Sequence, residues 1–203
     1  MMWIACVIAF DEEGMIEGCL DSLAGKVARC VVVDGAYADF PHQHPDGCST
    51  DRTVEIALDY GAGVIMPPPG CWPDECIKRT ACLVGEEGDY YLFIDADERL
   101  VGELPDGLTA PAYMIGLRRD APHALPYPIP RVVRHHESLE VSPGHWVYRV
   151  DGVRVNDPLE CAVMAGCHLV HLQSKRSEAR TKLKQVYYGK LWVTEAKARG
   201  RYR

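Results

Sequence analysis

The chain has 203 residues, 47% of them hydrophobic and 25% charged, with a formal net charge of −7. That length most often makes one domain with a sizeable core. The acidic balance works against nucleic acid and anionic membrane as partners, so a phosphate-bearing ligand needs a local cationic cluster or a bound cation. No apolar run approaches the roughly 20 residues of a membrane helix. The opening run, Trp3 to Phe10, has no basic segment before it and acids after it, unlike a signal peptide, so a cytoplasmic location is expected.

The first half alternates strand and helix patterns. WIACVIAF (3–10) is a short, partly β-branched apolar run and reads as a buried strand. Met15, Ile16, Cys19, Leu20 and Leu23 then recur at helical spacing. RCVVVD (29–34) is a second buried strand ending at Asp34, followed by a loop, GAYADFPHQHPDG, rich in Gly, Pro, His and Asp. STDRTVEIALDYGAG reads as a second helix with Ser49 or Thr50 as N-cap, Val54, Ala57 and Leu58 as its apolar face, and Gly61 as its stop. GVIM is a third strand, cut off by Pro67-Pro68-Pro69-Gly70. WPDECIKRTACLVGEEG is a third helix with Pro73 near its first turn, and DYYLFIDADER is a fourth strand. This βαβαβαβ order predicts a Rossmann-like three-layer αβα sandwich with a mostly parallel central sheet.

The second half has a different character. PAYMIGLRR, IPRVVRHH, HWVYRVDGVRV and CAVMAGCHLVHL read as strands without long helices between them, which predicts a small antiparallel part. Asp151-Gly152 is a hairpin signal, and the segment from Ser177 onward is charged and helix-compatible. The nine cysteines are irregularly spaced and read as small buried apolar residues of a reducing compartment. Their one local cluster, Cys161, Cys167, His168 and His171, lacks the tight Cys-x2–4-Cys pairs of a structural zinc site.

The feature that calls for chemistry is YYLFIDADER, where a buried strand runs into Asp95, Asp97 and Glu98. Side chains two apart on an extended segment point the same way, and ligands of open parallel sheets bind beyond the carboxyl ends of the strands. Asp34, Asp95 and Asp97 all lie at such ends. Two neighbouring carboxylates repel unless something positive neutralises them, and a hard cation such as Mg²⁺ or Mn²⁺ does so. A solvated acidic turn is the plain alternative.

In order, VIAFDEEGMIEGCLDSL, VVVDG with STDRTVEIA, and FIDADER resemble the motifs of a family 2 glycosyltransferase with the GT-A fold and its Asp-x-Asp motif. The resemblance covers residues 3–99 and is thin beyond residue 100. Asp11 stands where Asn is usual, and AYADFPHQHPDGC is inserted after Asp34. The resemblance implies a single domain over 1–203, with a nucleotide-sugar-binding half (1–99) and an acceptor-binding half with a C-terminal helix (100–203). It implies a hexosyltransferase-like enzyme that moves a sugar from a nucleotide-diphosphate sugar to an acceptor hydroxyl with inversion. The acceptor would be a glycan, a lipid-linked glycan or a protein.

The same resemblance implies residue roles. Asp34 would contact the base or ribose, with Phe10 and Asp11 lining the same pocket. Asp95, Ala96 and Asp97 would hold the donor, and Asp95 and Asp97 a divalent cation. Lys78 or Arg79 would reach the donor or the aspartates. A late histidine, His171 rather than its competitor His168, would complete the cation's ligands, and Arg176 would pair with phosphate. For the base, relatives carry His-Glu where this chain has His145-Trp146. Among Glu137, Glu140, Asp151 and Asp157, Glu140 is the candidate taken. Two alternatives remain: a non-catalytic nucleotide-sugar-binding module of the same fold, and a sugar-phosphate nucleotidyltransferase, which would need a Gly-rich basic loop after the first strand.

Overall fold

A computed structural model describes residues 1–38, 40–41, 44–85, 87–121, 123–142, 147–157, 160–173 and 178–198, without the side chains of 179, 180 and 191–198. The first half comprises β1 (Trp3–Ile8), α1 (Glu13–Leu23), β2 (Arg29–Val33), α2 (Thr53–Asp59), β3 (Gly63–Ile65), α3 (Glu75–Ala81) and β4 (Tyr90–Asp95). The second half comprises β5 (Glu98–Gly102), β6 (Ala112–Arg119), β7 (Tyr127–Arg134), β8 (Glu140–Ser142), β9 (Val147–Val150), β10 (Val153–Arg154), β11 (Ala162–His171) and α4 (Glu178–Ala198).

The fold is mixed α/β. One eight-stranded sheet runs in the order β3-β2-β1-β4-β7-β6-β11-β5, and a second sheet is β10-β9-β8. In the large sheet β3, β2, β1 and β4 are parallel, as is the β6–β11 pair, whereas β7 and β5 run against their neighbours. Layering follows from the sequence of β1, which is apolar at every position because both its faces are covered. Trp3, Ala5 and Val7 pack with Ile16, Cys19 and Leu20 of α1 and Ala57 of α2. Ile4, Cys6 and Ile8 point the other way, toward Cys82 just past α3, Leu139 just before β8, and Val141 and Tyr148 of the small sheet. Each buried Val, Leu or Ile among them contributes roughly 1.5–3 kcal/mol by leaving water.

The five helical-period residues of α1 are all buried. Helix α2 departs from expectation. It begins at Thr53, later than a Ser49 or Thr50 cap requires, and Asp51 Oδ1 accepts the Thr53 N–H at 2.9 Å. Leu58 is 57% exposed, while Thr53 and Ala57 face the core with Ile56 against it. Ser49 Oγ is engaged elsewhere: it donates to Asp34 at 2.5 Å and accepts the Asp11 N–H at 2.8 Å. Gly61, at φ 73°, ends this segment as expected. The third helix is only seven residues, and Asp74 caps it by accepting the Ile77 N–H at 2.8 Å. The Asp151-Gly152 turn has φ of 50° and 74°, the left-handed pair that a two-residue hairpin needs.

Strand β5 was not expected. It starts one residue after Asp97 and exists because β11 pairs with it, His171 opposite Glu98 and Cys167 opposite Gly102. Gly102, at φ 89°, lets the backbones approach: a Cβ there would stand 2.1 Å from the Gly166 carbonyl oxygen.

Candidate functional site

Ile8 is level with Val33 of β2 and with Asp95 of β4. The carboxyl ends of three parallel strands therefore stop together, and the residues after them open on one crevice. A cavity of about 520 Å³ fills it, walled by the exits of β1, β2 and β4, by α3, and by one face of α4.

Asp95 closes β4 with both carboxylate oxygens engaged. Oδ1 accepts from Arg79 Nη2 at 2.9 Å, and Oδ2 from Arg131 Nη2 at 3.2 Å. Burial pushes its pKa up, but Arg131 and Arg79 outweigh that and hold it well below the usual carboxylate range. Glu98 turns back under it: Oε2 accepts the Asp95 N–H at 2.9 Å and Oε1 the Arg131 guanidinium at 2.7 Å. Burial raises the pKa of Glu98. The chain continues from Arg79 to Glu75 at 2.7 Å. Five ionisable groups thus alternate in sign from Glu75 of α3 to Glu98 of β5, which is how carboxylates are accommodated at the end of a buried strand.

Asp97, 1% exposed, turns to different partners. Its Oδ1 lies 3.6 Å from His171 Nε2, and its Oδ2 lies 3.3 Å from Lys184 Nζ. The β5–β11 pairing brings His171 here, and the Leu172 N–H donates to the Asp97 carbonyl at 2.9 Å. His171, not His168, lines the cavity.

Lys78 and Arg79 divide their work. Lys78 is buried and its ammonium donates to the carbonyls of Ala9, at 2.7 Å, and Gly35. It ties the exits of β1 and β2 together beneath the Tyr37 ring, 5.2 Å from the centroid. Burial lowers its pKa to about 7. Arg79 is the one of the two that reaches Asp95.

Of the residues singled out from the sequence, Phe10, Lys78, Arg79, Asp95, Ala96, Asp97 and His171 line the cavity. Other expectations need correction. Asp34 is fully buried and does not line the cavity; Ser49 donates to its carboxylate through N–H at 2.8 Å and Oγ at 2.5 Å. Asp11, at φ 47°, contacts His44 of the inserted loop at 3.2 Å and accepts the Thr50 N–H just past that loop at 3.0 Å; it does not line the cavity. Glu140 is exposed on β8 and does not line the cavity; its neighbour Val141 turns to α3, the Val141 N–H donating to Thr80 Oγ1 at 3.1 Å. Asp95, Asp97 and His171 do not form a three-ligand metal site: the two arginines take Asp95, and among the described residues no three His, Cys, Asp or Glu side chains gather for a metal. Arg176 and His145-Trp146 lie outside the described residues.

Three wall components were missed. Arg131 was legible only as a charge inside the apolar run IPRVV. Tyr37 and Phe40 belong to the inserted loop, and Lys184, Gln185 and Tyr188 to α4. Tyr37 stacks on Tyr187 with centroids 5.6 Å apart, and Phe40 packs on the same ring at 5.3 Å. This aromatic cluster seats α4 over the crevice.

No protein-family model matches the chain. A TPR repeat-containing protein of Synechococcus elongatus is 30% identical over 99 residues, 48% of this chain and 21% of the relative. An uncharacterized glycosyltransferase of Rickettsia bellii is 33% identical over 103 residues, 50% of this chain and 30% of the relative. The chain thus spans less than a third of the length of these curated relatives. Among solved structures, residues 1–349 of TarS from S. aureus overlap with a TM-score of 0.39 at 25% identity, over 49% of this chain and 28% of that one. Glucosyl-3-phosphoglycerate synthase from Mycobacterium tuberculosis, in complex with Mn²⁺, UDP and glucosyl-3-phosphoglycerate, overlaps with a TM-score of 0.37 at 26% identity, over 48% and 34%.

Proposed function

We propose that this chain binds a nucleotide-diphosphate sugar with a divalent cation in the crevice beyond β1, β2 and β4 and transfers the sugar to an acceptor hydroxyl. The observation that carries this reading is the meeting of Asp97 and His171 at 3.6 Å in a cavity that also presents Arg79 and Arg131. A carboxylate oxygen suits Mn²⁺ or Mg²⁺, the imidazole nitrogen favours Mn²⁺ over the harder Mg²⁺, and two protein donors leave positions open for diphosphate oxygens. The ordered motifs of residues 3–99 and the sequence match to a relative named a glycosyltransferase support the same reading.

Asp97 and His171 would hold the cation. Such an ion, when bound, supplies charge neutralisation to a departing diphosphate without a proton. The two guanidiniums supply fixed positive charge on the same wall. The Tyr37 and Tyr188 rings and Phe10 give the cavity an apolar side suited to a base or sugar face. A role for Asp34 toward the nucleotide requires Ser49 to release its carboxylate. The acceptor proton must go to a carboxylate, and those lining the cavity are Glu12, Glu75, Asp95 and Asp97. Glu75 and Asp95 are paired with arginine and Glu12 with Lys184. That observation favours, as a second reading, a module that binds the donor without turning it over.

Melting curves with uridine, guanosine, thymidine and cytidine diphosphates, with and without Mn²⁺, test the binding. A rise of several degrees, about 4 °C or more, with one of them in the presence of Mn²⁺ is expected. No shift with any of them rejects the proposal. Release of nucleoside diphosphate from the matching nucleotide sugar then separates enzyme from module.

A further inference from the structure

We infer that Lys184 is a built-in cation of the site: its ammonium sits on Asp97, and a divalent ion bound through Asp97 must compete with it. The inference rests on the reading of Asp97 and His171 as cation donors and adds a control that this chain's own helix exerts over them.

Thr181, Lys184, Gln185 and Tyr188 all line the cavity. Their spacing of three, four and seven puts them on one face of α4. That face is fixed by Tyr187, whose ring stacks on Tyr37 and packs on Phe40. Seating the helix therefore delivers Lys184 into the crevice. Its Nζ stands 3.1 Å from Glu12 Oε1 and 3.3 Å from Asp97 Oδ2, and its side chain is 20% exposed. Lys182, two residues earlier, points out of the site: it is 70% exposed and pairs with Glu178 on its own helix. The chain has thus carried one ammonium from α4 to a buried carboxylate that the sequence offers to a metal.

An ammonium and a dication sharing one carboxylate repel each other strongly where water is scarce. Their binding is therefore negatively coupled, and the coupling is reciprocal. Anything that removes the ammonium tightens the metal. Once displaced from Asp97, Lys184 remains on the cavity wall, where a diphosphate is an anionic replacement partner.

The test measures Mn²⁺ affinity, from the free-Mn²⁺ electron paramagnetic resonance signal, for wild type, Lys184→Met, Lys184→Gln and Lys182→Met. Methionine keeps much of the apolar stem, and glutamine gives a second replacement should the first not fold. Either Lys184 variant is expected to bind Mn²⁺ about tenfold tighter than wild type, and Lys182→Met within about twofold of it. Unchanged or weaker binding in the Lys184 variants overturns the inference while leaving the site intact. Equal tightening by Lys182→Met also overturns it, since the effect is then net charge alone. Absence of Mn²⁺ binding in every protein overturns both this inference and the reading of the site.

Discussion

Arg131 on β7 places one nitrogen, Nη2, 3.2 Å from Asp95 Oδ2 and 2.7 Å from Glu98 Oε1. Its side chain is 4% exposed, so one buried guanidinium is shared by both acids that flank the turn after β4, with Arg79 also on Asp95. The turn's geometry depends on this bond, because Glu98 also accepts the Asp95 N–H. Arg131→Met is expected to cost about 3–5 kcal/mol in urea unfolding, the usual result of leaving buried charge without its partner. A loss below about 1 kcal/mol would put the network in the surface class instead.

Lys78 gives a pH signature. Its pKa falls from an ordinary 10.5 to about 7 through burial. Between those values the unfolded chain holds a proton that the folded chain has released, so stability rises with pH across the window. The penalty for a charged, buried Lys78 is full below pH 7 and fades above it. The slope is at most about 1.4 kcal/mol per pH unit. Above pH 9 the buried thiols of Cys19 and Cys30, raised by desolvation, act in the opposite sense. Denaturant titrations from pH 7 to 9 should therefore show a rising stability in wild type and a flatter line in Lys78→Met. Parallel lines would mean that the two carbonyl partners keep Lys78 charged.

Asp97 and Glu140 make a contrast. Asp97→Asn removes the charge that faces His171 and should abolish the Mn²⁺-dependent part of nucleoside diphosphate binding. Glu140 is exposed on β8, so Glu140→Gln should leave both binding and diphosphate release within about twofold of wild type. A large fall in release for Glu140→Gln, with binding intact, would restore it as the base.

Tyr187 is 8% exposed and holds α4 through Tyr37 and Phe40. Tyr187→Ala should release the helix locally, at a cost of about 3 kcal/mol. Hydrogen exchange over residues 178–190 should quicken while β1 and β4 stay protected. Uniform quickening would show that α4 unfolds only with the whole sheet.

The βαβ order, the covered faces of β1, the five buried positions of α1 and the Asp151-Gly152 turn were readable because each depends on residues close in sequence. So was the need for compensating charge after β4, since an apolar run there ends in three acids. The compensators were not readable. Arg131 is 36 residues from Asp95, Lys184 is 87 from Asp97, and His171 reaches Asp97 only because β11 pairs with an unexpected β5.

The sequence by itself determined the layered α/β architecture and that carboxylates would gather at the carboxyl edge of its parallel strands, because periodicity and strand-end position are local properties. Only the tertiary structure decided which cation meets which carboxylate: arginines for Asp95, histidine and lysine for Asp97, a serine for Asp34. Those choices follow from strand pairing and from the docking of α4, where burial makes an uncompensated charge costly and no spacing along the chain records the partner.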